Sequence, residues 1–337
     1  MKHADEYPLF DWLRIILASG VALYHQKIFT WEHSGDLAVQ VFFALSGWLI
    51  GGILLDTAKD ELPRFFFNRA TRVWMPYFAA ILALYGLSAS REPVDARWLE
   101  FLAYDVTFTH NWFTLRPDAA TAIAQMPLNG TGNHFWSLAV EEQFYLFAPL
   151  LILFAKGGRT IVFWIAVSAL AYATASQYGA ISLGVLAATL QRHFPDWHLR
   201  YSAPIAVVLA LSVVGMIFAY AYGAPIFGIT VVLLAARPGA RGPAGKLLGG
   251  MSYPFYLNHW IGGFVAHGLT KRVGLSGTPI DQWGGYVLGL IAGAVAYVAI
   301  DQQILKRRAG LYTPSRGRWL GATAYALLLC GVVFGFR

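Results

Sequence analysis

The sequence predicts an all-α fold, a polytopic transmembrane helical bundle of about 10–11 helices, because apolar runs near the roughly 20 residues of a membrane span recur along the whole chain. Two further observations agree. Hydrophobic residues make up 57% of the 337 positions and charged residues 13%, against roughly 25% charged in a typical soluble domain. Mean hydropathy is +0.51. The polar links are too short for a separate soluble domain, so a single transmembrane domain over 1–337 is expected.

The first span, 9–26, lacks a strongly basic leader and a small-residue cleavage site and carries Arg14 inside it. It therefore reads as a retained helix, not a signal peptide. Further spans are expected at 37–56, 73–88, 135–155, 160–175, 177–190, 202–222, 225–236, 248–268, 284–304 and 319–336. Two pairs among them are short, with breaks expected at Gln177-Tyr178-Gly179 and Gly223-Ala224-Pro225. A single span in either place would move every later link to the other side. The longest polar interval, from Ser88 to Asn133, mixes Trp98, Trp112, Pro117 and Pro127 with few charges, as an interfacial helix or a cap over a cavity mouth would. No internal repeat is visible, which counts against a transporter built from repeated halves.

A net charge of +7 and a pI near 9.4 could indicate a nucleic-acid partner, but in a membrane protein Lys and Arg report topology. With the N-terminus inside, most of them fall on cytoplasmic segments. Lys2 leads, Lys59, Arg64, Arg69 and Arg72 share one link, and Lys306, Arg307, Arg308, Arg316 and Arg318 share another. Arg91, Arg97, Arg116 and Arg337 are among the few on the opposite side. The bias predicts a cytoplasmic N-terminus and no nucleic-acid role. The single cysteine, Cys330, rules out an intrachain disulfide and a multi-cysteine metal site.

Three groups of residues can carry chemistry. Arg14 and His25 are three helical turns apart, about 16 Å along one face. Ionisable groups at that depth face a water-filled cavity or a partner, unless Arg14 snorkels to the headgroups and His25 sits at the outer interface. Arg69 and Arg72 project from neighbouring positions at the expected start of the third helix, where guanidinium forks and free backbone N–H groups suit phosphate oxygens; the alternative is positive-inside anchoring. His134, Ser137 and Glu141 share a face at the start of the fourth helix. A carboxylate there can orient an imidazole, or the group can serve the helix start. Two weaker signals are the small residues of Ser46-Gly47-Trp48-Leu49-Ile50-Gly51-Gly52, which permit close helix packing, and His259 in the ninth span.

Taken in order, these motifs resemble the acyltransferase 3 family of membrane-bound enzymes that O-acylate bacterial surface glycans. The resemblance lies in Asp11-Trp-Leu-Arg14 with His25, Phe42-Phe43-x-x-Ser46-Gly47, Arg69-x-x-Arg72, Trp136-Ser137-Leu138-x-x-Glu141-x-Gln-Phe-Tyr145 and Tyr253-x-x-Tyr256-Leu257-x-His259-Trp260. It implies His25 and Glu141 as catalytic residues, and Arg14, Arg69 and Arg72 as coenzyme-binding residues. Ser137, His134 and His259 are expected to bind substrate or support the site. The implied donor is acetyl-CoA or another acyl-CoA, with no metal. The implied acceptor is a hydroxyl-bearing glycan or glycolipid, foremost an extracytoplasmic or lipid-linked polysaccharide. The resemblance also implies a multi-pass protein among the lipids of the bacterial inner membrane, in a stand-alone form without a fused esterase-like domain. One position departs from the pattern. Many members carry an acid two residues before the Phe-Phe pair, where this chain has Gln40, and Asp36 lies too far upstream to be taken as its substitute. The rival function is a transporter or flippase of a lipid-linked sugar or lysolipid, which would neither bind acyl-CoA nor release CoA.

Overall fold

The computed structural model describes residues 6–114 and 123–336. Lys2, Arg116, Pro117 and Arg337, which entered the charge and loop expectations, lie outside the described residues. Every regular element among the described residues is helical. The chain divides into two compact units. The first comprises Met1–Thr57 and Ala148–Ala294, and the second Ala58–Phe147 and Val295–Arg337.

The first unit contains α1 (Pro8–His25), α2 (Ser34–Asp56), α7 (Ile161–Ala173), α8 (Gly179–His193), the short α9 (Trp197–Arg200), α10 (Ser202–Phe218), α11 (Tyr220–Ala235), α12 (Pro243–Arg272) and most of α13 (Pro279–Ala296). The second contains α3 (Leu62–Ala89), α4 (Ala96–Val106), the short α5 (His110–Phe113), most of α6 (Phe135–Leu153), α14 (Gln302–Leu311) and α15 (Pro314–Gly335). Proline opens several helices. Pro8, Pro63, Pro243 and Pro314 all sit in a first turn, where the missing N–H costs nothing and the fixed φ suits the helix.

Among the described residues, four helices are long and apolar enough to cross a membrane: Ser34–Asp56, Phe135–Leu153, Pro279–Leu311 and Pro314–Gly335. Helices α7, α10 and α11 are apolar but shorter. The two doubtful pairs are both helical hairpins. Arg159 donates to the Thr57 carbonyl at 2.7 Å, and Arg192 reaches the Leu55 carbonyl and the Asp56 carboxylate. The links before α7 and after α8 therefore meet the same end of α2. His198 Nε2 lies 2.6 Å from the Ala236 carbonyl, which closes α10 and α11 in the same way. The first break falls as expected. The second does not, because Gly223-Ala224-Pro225 lies inside α11 and the chain turns at Ala219 (φ −154°, ψ 79°). Gly223 serves packing, since a Cβ there would come 2.7 Å from the backbone nitrogen of Met216 in α10.

The third helix also differs from expectation. It starts at Leu62, so Arg69 and Arg72 lie inside a continuous 28-residue helix. Their backbone N–H groups belong to the helix ladder and are not free for an anion. The tenth span is interrupted by a π-helical turn at Tyr297–Asp301.

The core of the first unit is set by close backbone approach. Gly47 of α2 packs on Gly184 of α8, where an added Cβ would come 3.0 Å from the Gly184 Cα and closer still to the Ile181 carbonyl oxygen. Gly51 meets Val185 in the same seam, whereas Gly52 has no neighbour within 4 Å. We expect Gly47→Ala to cost about 1–3 kcal/mol through overpacking, and Gly52→Ala to be neutral or slightly stabilising. Thermal unfolding in detergent checks the pair, and equal melting temperatures would discount the seam. The second unit gathers Tyr77, Phe108 and Phe135, with ring centroids 5.4–5.6 Å apart around Tyr77.

Candidate active site

Helices α1 and α12 run side by side in the first unit. Near their starts, an added Cβ on Gly249 would come 2.7 Å from the Asp11 Cβ; further along, one on Gly263 would touch the Gln26 amide. Between these contacts His25 Nδ1 lies 2.7 Å from His259 Nε2. His25 is exposed, and His259 is only 2% exposed. His259 lies near the middle of α12, with about 20 Å of helix still to run to Arg272 at 1.5 Å per residue. His25 thus stands at the depth of mid-helix, not at the end of its neighbour.

At the other end of α1, Asp11 accepts two hydrogen bonds from Arg241, Nε to Oδ2 at 2.6 Å and Nη2 to Oδ1 at 2.7 Å. Arg14, one turn along, is 3.7 Å from the same carboxylate. The group is net positive, with two guanidiniums around one buried acid.

An acid does stand beside Gln40. The Gln40 amide donates to Asp36 Oδ2 at 3.5 Å, and the Tyr220 hydroxyl donates to the same oxygen at 2.6 Å. One helical turn separates 36 from 40, so a side chain spans a gap that looked too wide in sequence.

In the second unit, Arg69 lies over the Tyr145 ring, its Cζ 5.7 Å from the centroid. The Tyr145 hydroxyl donates to Glu141 Oε1 at 2.7 Å. Glu142 is buried; its Oε2 accepts from Trp74 Nε1 at 2.8 Å, and its Oε1 has no hydrogen-bond partner. Arg72 lies within electrostatic range of Asp301, a 9%-exposed residue on the π turn whose Oδ2 makes no hydrogen bond. Arg308 lies within range of Arg64 and Arg69. His134 and Ser137 are buried: His134 Nδ1 lies 3.3 Å from the Thr131 carbonyl, and the Ser137 hydroxyl donates to the His134 carbonyl at 3.1 Å. Ser137 therefore bonds back into its own turn.

The acyltransferase 3 model, an acyltransferase domain, matches residues 7–301. The chain belongs to the acyltransferase 3 family. Among curated relatives, a Staphylococcus aureus (strain COL) protein named "Putative O-acetyltransferase" is 32% identical over 153 residues, covering 43% of this chain and 24% of the relative. O-acetyltransferase OatA of Staphylococcus aureus (strain NCTC 8325 / PS 47) is 31% identical over 156 residues, covering 44% and 25%. The match thus spans about a quarter of the length of these relatives. No solved structure matches.

For this acyltransferase 3 chain, the structure joins the predicted residues within each unit: His25 with His259, and Arg69 with Glu141 through Tyr145. It also adds Arg241, Glu142, Asp301 and Arg308, and gives Asp11 of the first motif its arginine partners. Asp11 had a signal, three residues before Arg14 on one face. Asp301 and Arg308 lay beyond the last motif that could be matched. Among the described residues, no group of three or more His, Cys, Asp or Glu is placed to hold a metal.

Proposed function

We propose that this chain is a membrane O-acyltransferase that moves an acyl group, acetyl foremost, from cytoplasmic acyl-CoA to a hydroxyl of an extracytoplasmic or lipid-linked surface polysaccharide. The observation that carries this reading is His25, an accessible imidazole at mid-helix depth, held edge-on by a buried partner. Such a group suits a general base, which takes the hydroxyl proton as the oxygen attacks a thioester carbonyl. The OatA match supports an acetyl donor.

Arg69 and Arg72 are assigned to the coenzyme phosphates, with Arg14 in the same role on its own unit. Guanidinium donors pair strongly with phosphate oxygens without help from a helix terminus. Glu141 holds the Tyr145 hydroxyl, and Tyr145 carries Arg69 on its ring, so Glu141 contributes by shaping the coenzyme end.

Purified protein incubated with acetyl-CoA, longer acyl-CoAs and free CoA tests the proposal by thermal shift and thioester loss. A shift with acetyl-CoA and with CoA is expected, and no response to any of them would favour a transporter. Arg72→Ala should weaken acetyl-CoA binding about 10- to 100-fold, the loss of one charge-assisted contact. Unchanged affinity in titration calorimetry would remove Arg72 from the coenzyme site.

A further inference from the structure

We infer that His259 is the positioning residue of the site, fixing the tautomer of His25 so that His25 Nε2 carries the lone pair. The inference rests on the reading of His25 as general base. It starts from a group that can only accept. The Tyr256 carbonyl oxygen lies 2.7 Å from His259 Nδ1, so Nδ1 must carry the proton of that hydrogen bond. A neutral imidazole has one N–H, which leaves His259 Nε2 as an acceptor. The 2.7 Å contact with His25 Nδ1 then requires His25 to donate from Nδ1. In the neutral pair, the basic nitrogen of His25 is Nε2.

The ring geometry agrees. The two imidazoles are within 9° of parallel, with centroids 4.9 Å apart. Parallel rings in face contact keep about 3.5 Å between them, so a nitrogen–nitrogen distance of 2.7 Å places the rings edge to edge in one plane. That aligns the N–H with its acceptor. His259 is also braced from behind. An added Cβ on Gly289 of α13 would lie 2.9 Å from the His259 carbonyl oxygen and 3.2 Å from its Cα, and the adjacent Asn258 donates to the Pro254 carbonyl, one turn earlier, at 2.9 Å.

The transfer step balances on this arrangement. The acceptor O–H proton moves to His25 Nε2, the oxygen forms its bond to the acyl carbon, and the carbon–sulfur bond breaks. His25 then returns the proton to the departing CoA thiolate. While His25 is cationic, its Nδ1–H bond to His259 becomes charge-assisted and roughly twice as strong. His259 thus does with a neutral ring what a carboxylate does beside other catalytic histidines, without placing a carboxylate at that depth, where charge is costly.

The test uses the full-length protein in nanodiscs with ¹⁵N-labelled histidine, whose ring-nitrogen shifts distinguish the tautomers, and thioester loss from acetyl-CoA in the native membrane fraction. The wild type should show His25 protonated on Nδ1. His259→Gln, which can still place an acceptor oxygen near the old Nε2, should keep that tautomer and stay within about tenfold of wild-type activity. His259→Phe keeps the ring volume without the acceptor; it should mix the His25 tautomers and lose at least about a hundredfold. An Nε2-protonated His25 in the wild type overturns the inference without any variant. So does a His259→Phe protein that keeps the Nδ1 tautomer, or one as active as His259→Gln. Full activity of His25→Ala would instead remove the general-base reading, leaving the tautomer measurement to stand on its own.

Discussion

His25→Ala should lose acyl transfer by about 10²–10⁴-fold, the range a positioned general base contributes, while acetyl-CoA still shifts its melting temperature. The two readouts separate because His25 closes the C-terminal end of α1, while Arg14 lies about 16 Å and Asp11 about 21 Å away toward the other end. The fold should survive. Alanine removes one hydrogen bond to His259, a net loss of about 0.5–1.5 kcal/mol, and His25 itself is exposed. Acylation would be followed as thioester loss in the native membrane fraction, and coenzyme binding as thermal shift of the purified protein. Wild-type acylation by His25→Ala would eliminate His25 from the mechanism. Loss of both acylation and the thermal shift would place His25 in binding instead.

The helices were legible in the sequence because a bilayer demands long apolar runs. The face shared by Arg14 and His25 was legible for a similar reason, since 3.6-residue periodicity is a local property. What one helix presents to another was not. His25 and His259 are 234 positions apart, and no periodicity connects α1 to α12. The glycines at 249 and 263 that let those helices touch look like any other small residues until their neighbours are known. Local signals misled in two places. Gly223 and Pro225 read as a break, but Gly223 is small because Met216 lies against it. Arg64, Arg69 and Arg72 read as a link, but α3 runs through them. There α15 packs alongside, its Gly317 against Pro63 and its Gly321 against the Phe66 ring. The Asp36–Gln40 contact is local, one helical turn along α2, and follows from helical periodicity alone.

Asp11→Ala should be strongly destabilising, by at most the roughly 3–5 kcal/mol of breaking a fully buried pair, because it removes a buried carboxylate and leaves two partly exposed guanidiniums uncompensated. Asp11 is 1% exposed. Its two oxygens take both donors of the Arg241 fork, and Arg14 stands 3.7 Å away. Without the carboxylate, two guanidiniums face each other at the end of α1, where Gly245 and Gly249 of α12 lie against the Asp11 side chain. For a chain of this size the loss corresponds to a fall in melting temperature of about 4–7 °C. Asp11→Asn keeps the shape and one acceptor and should fall between. Charge and packing can be separated by a cycle. If charge dominates, Arg241→Met in the Asp11→Ala background should recover part of the loss, since it removes one of the stranded cations, although the same change alone destabilises. Melting of the four proteins in detergent measures the coupling. An Asp11→Ala protein within about 2 °C of wild type would show that the carboxylate holds neither arginine with any consequence. Simple additivity across the cycle would assign its effect to packing against α12. A recovered double variant that no longer shifts with acetyl-CoA would tie Arg241, through Asp11, to the same coenzyme end as Arg14.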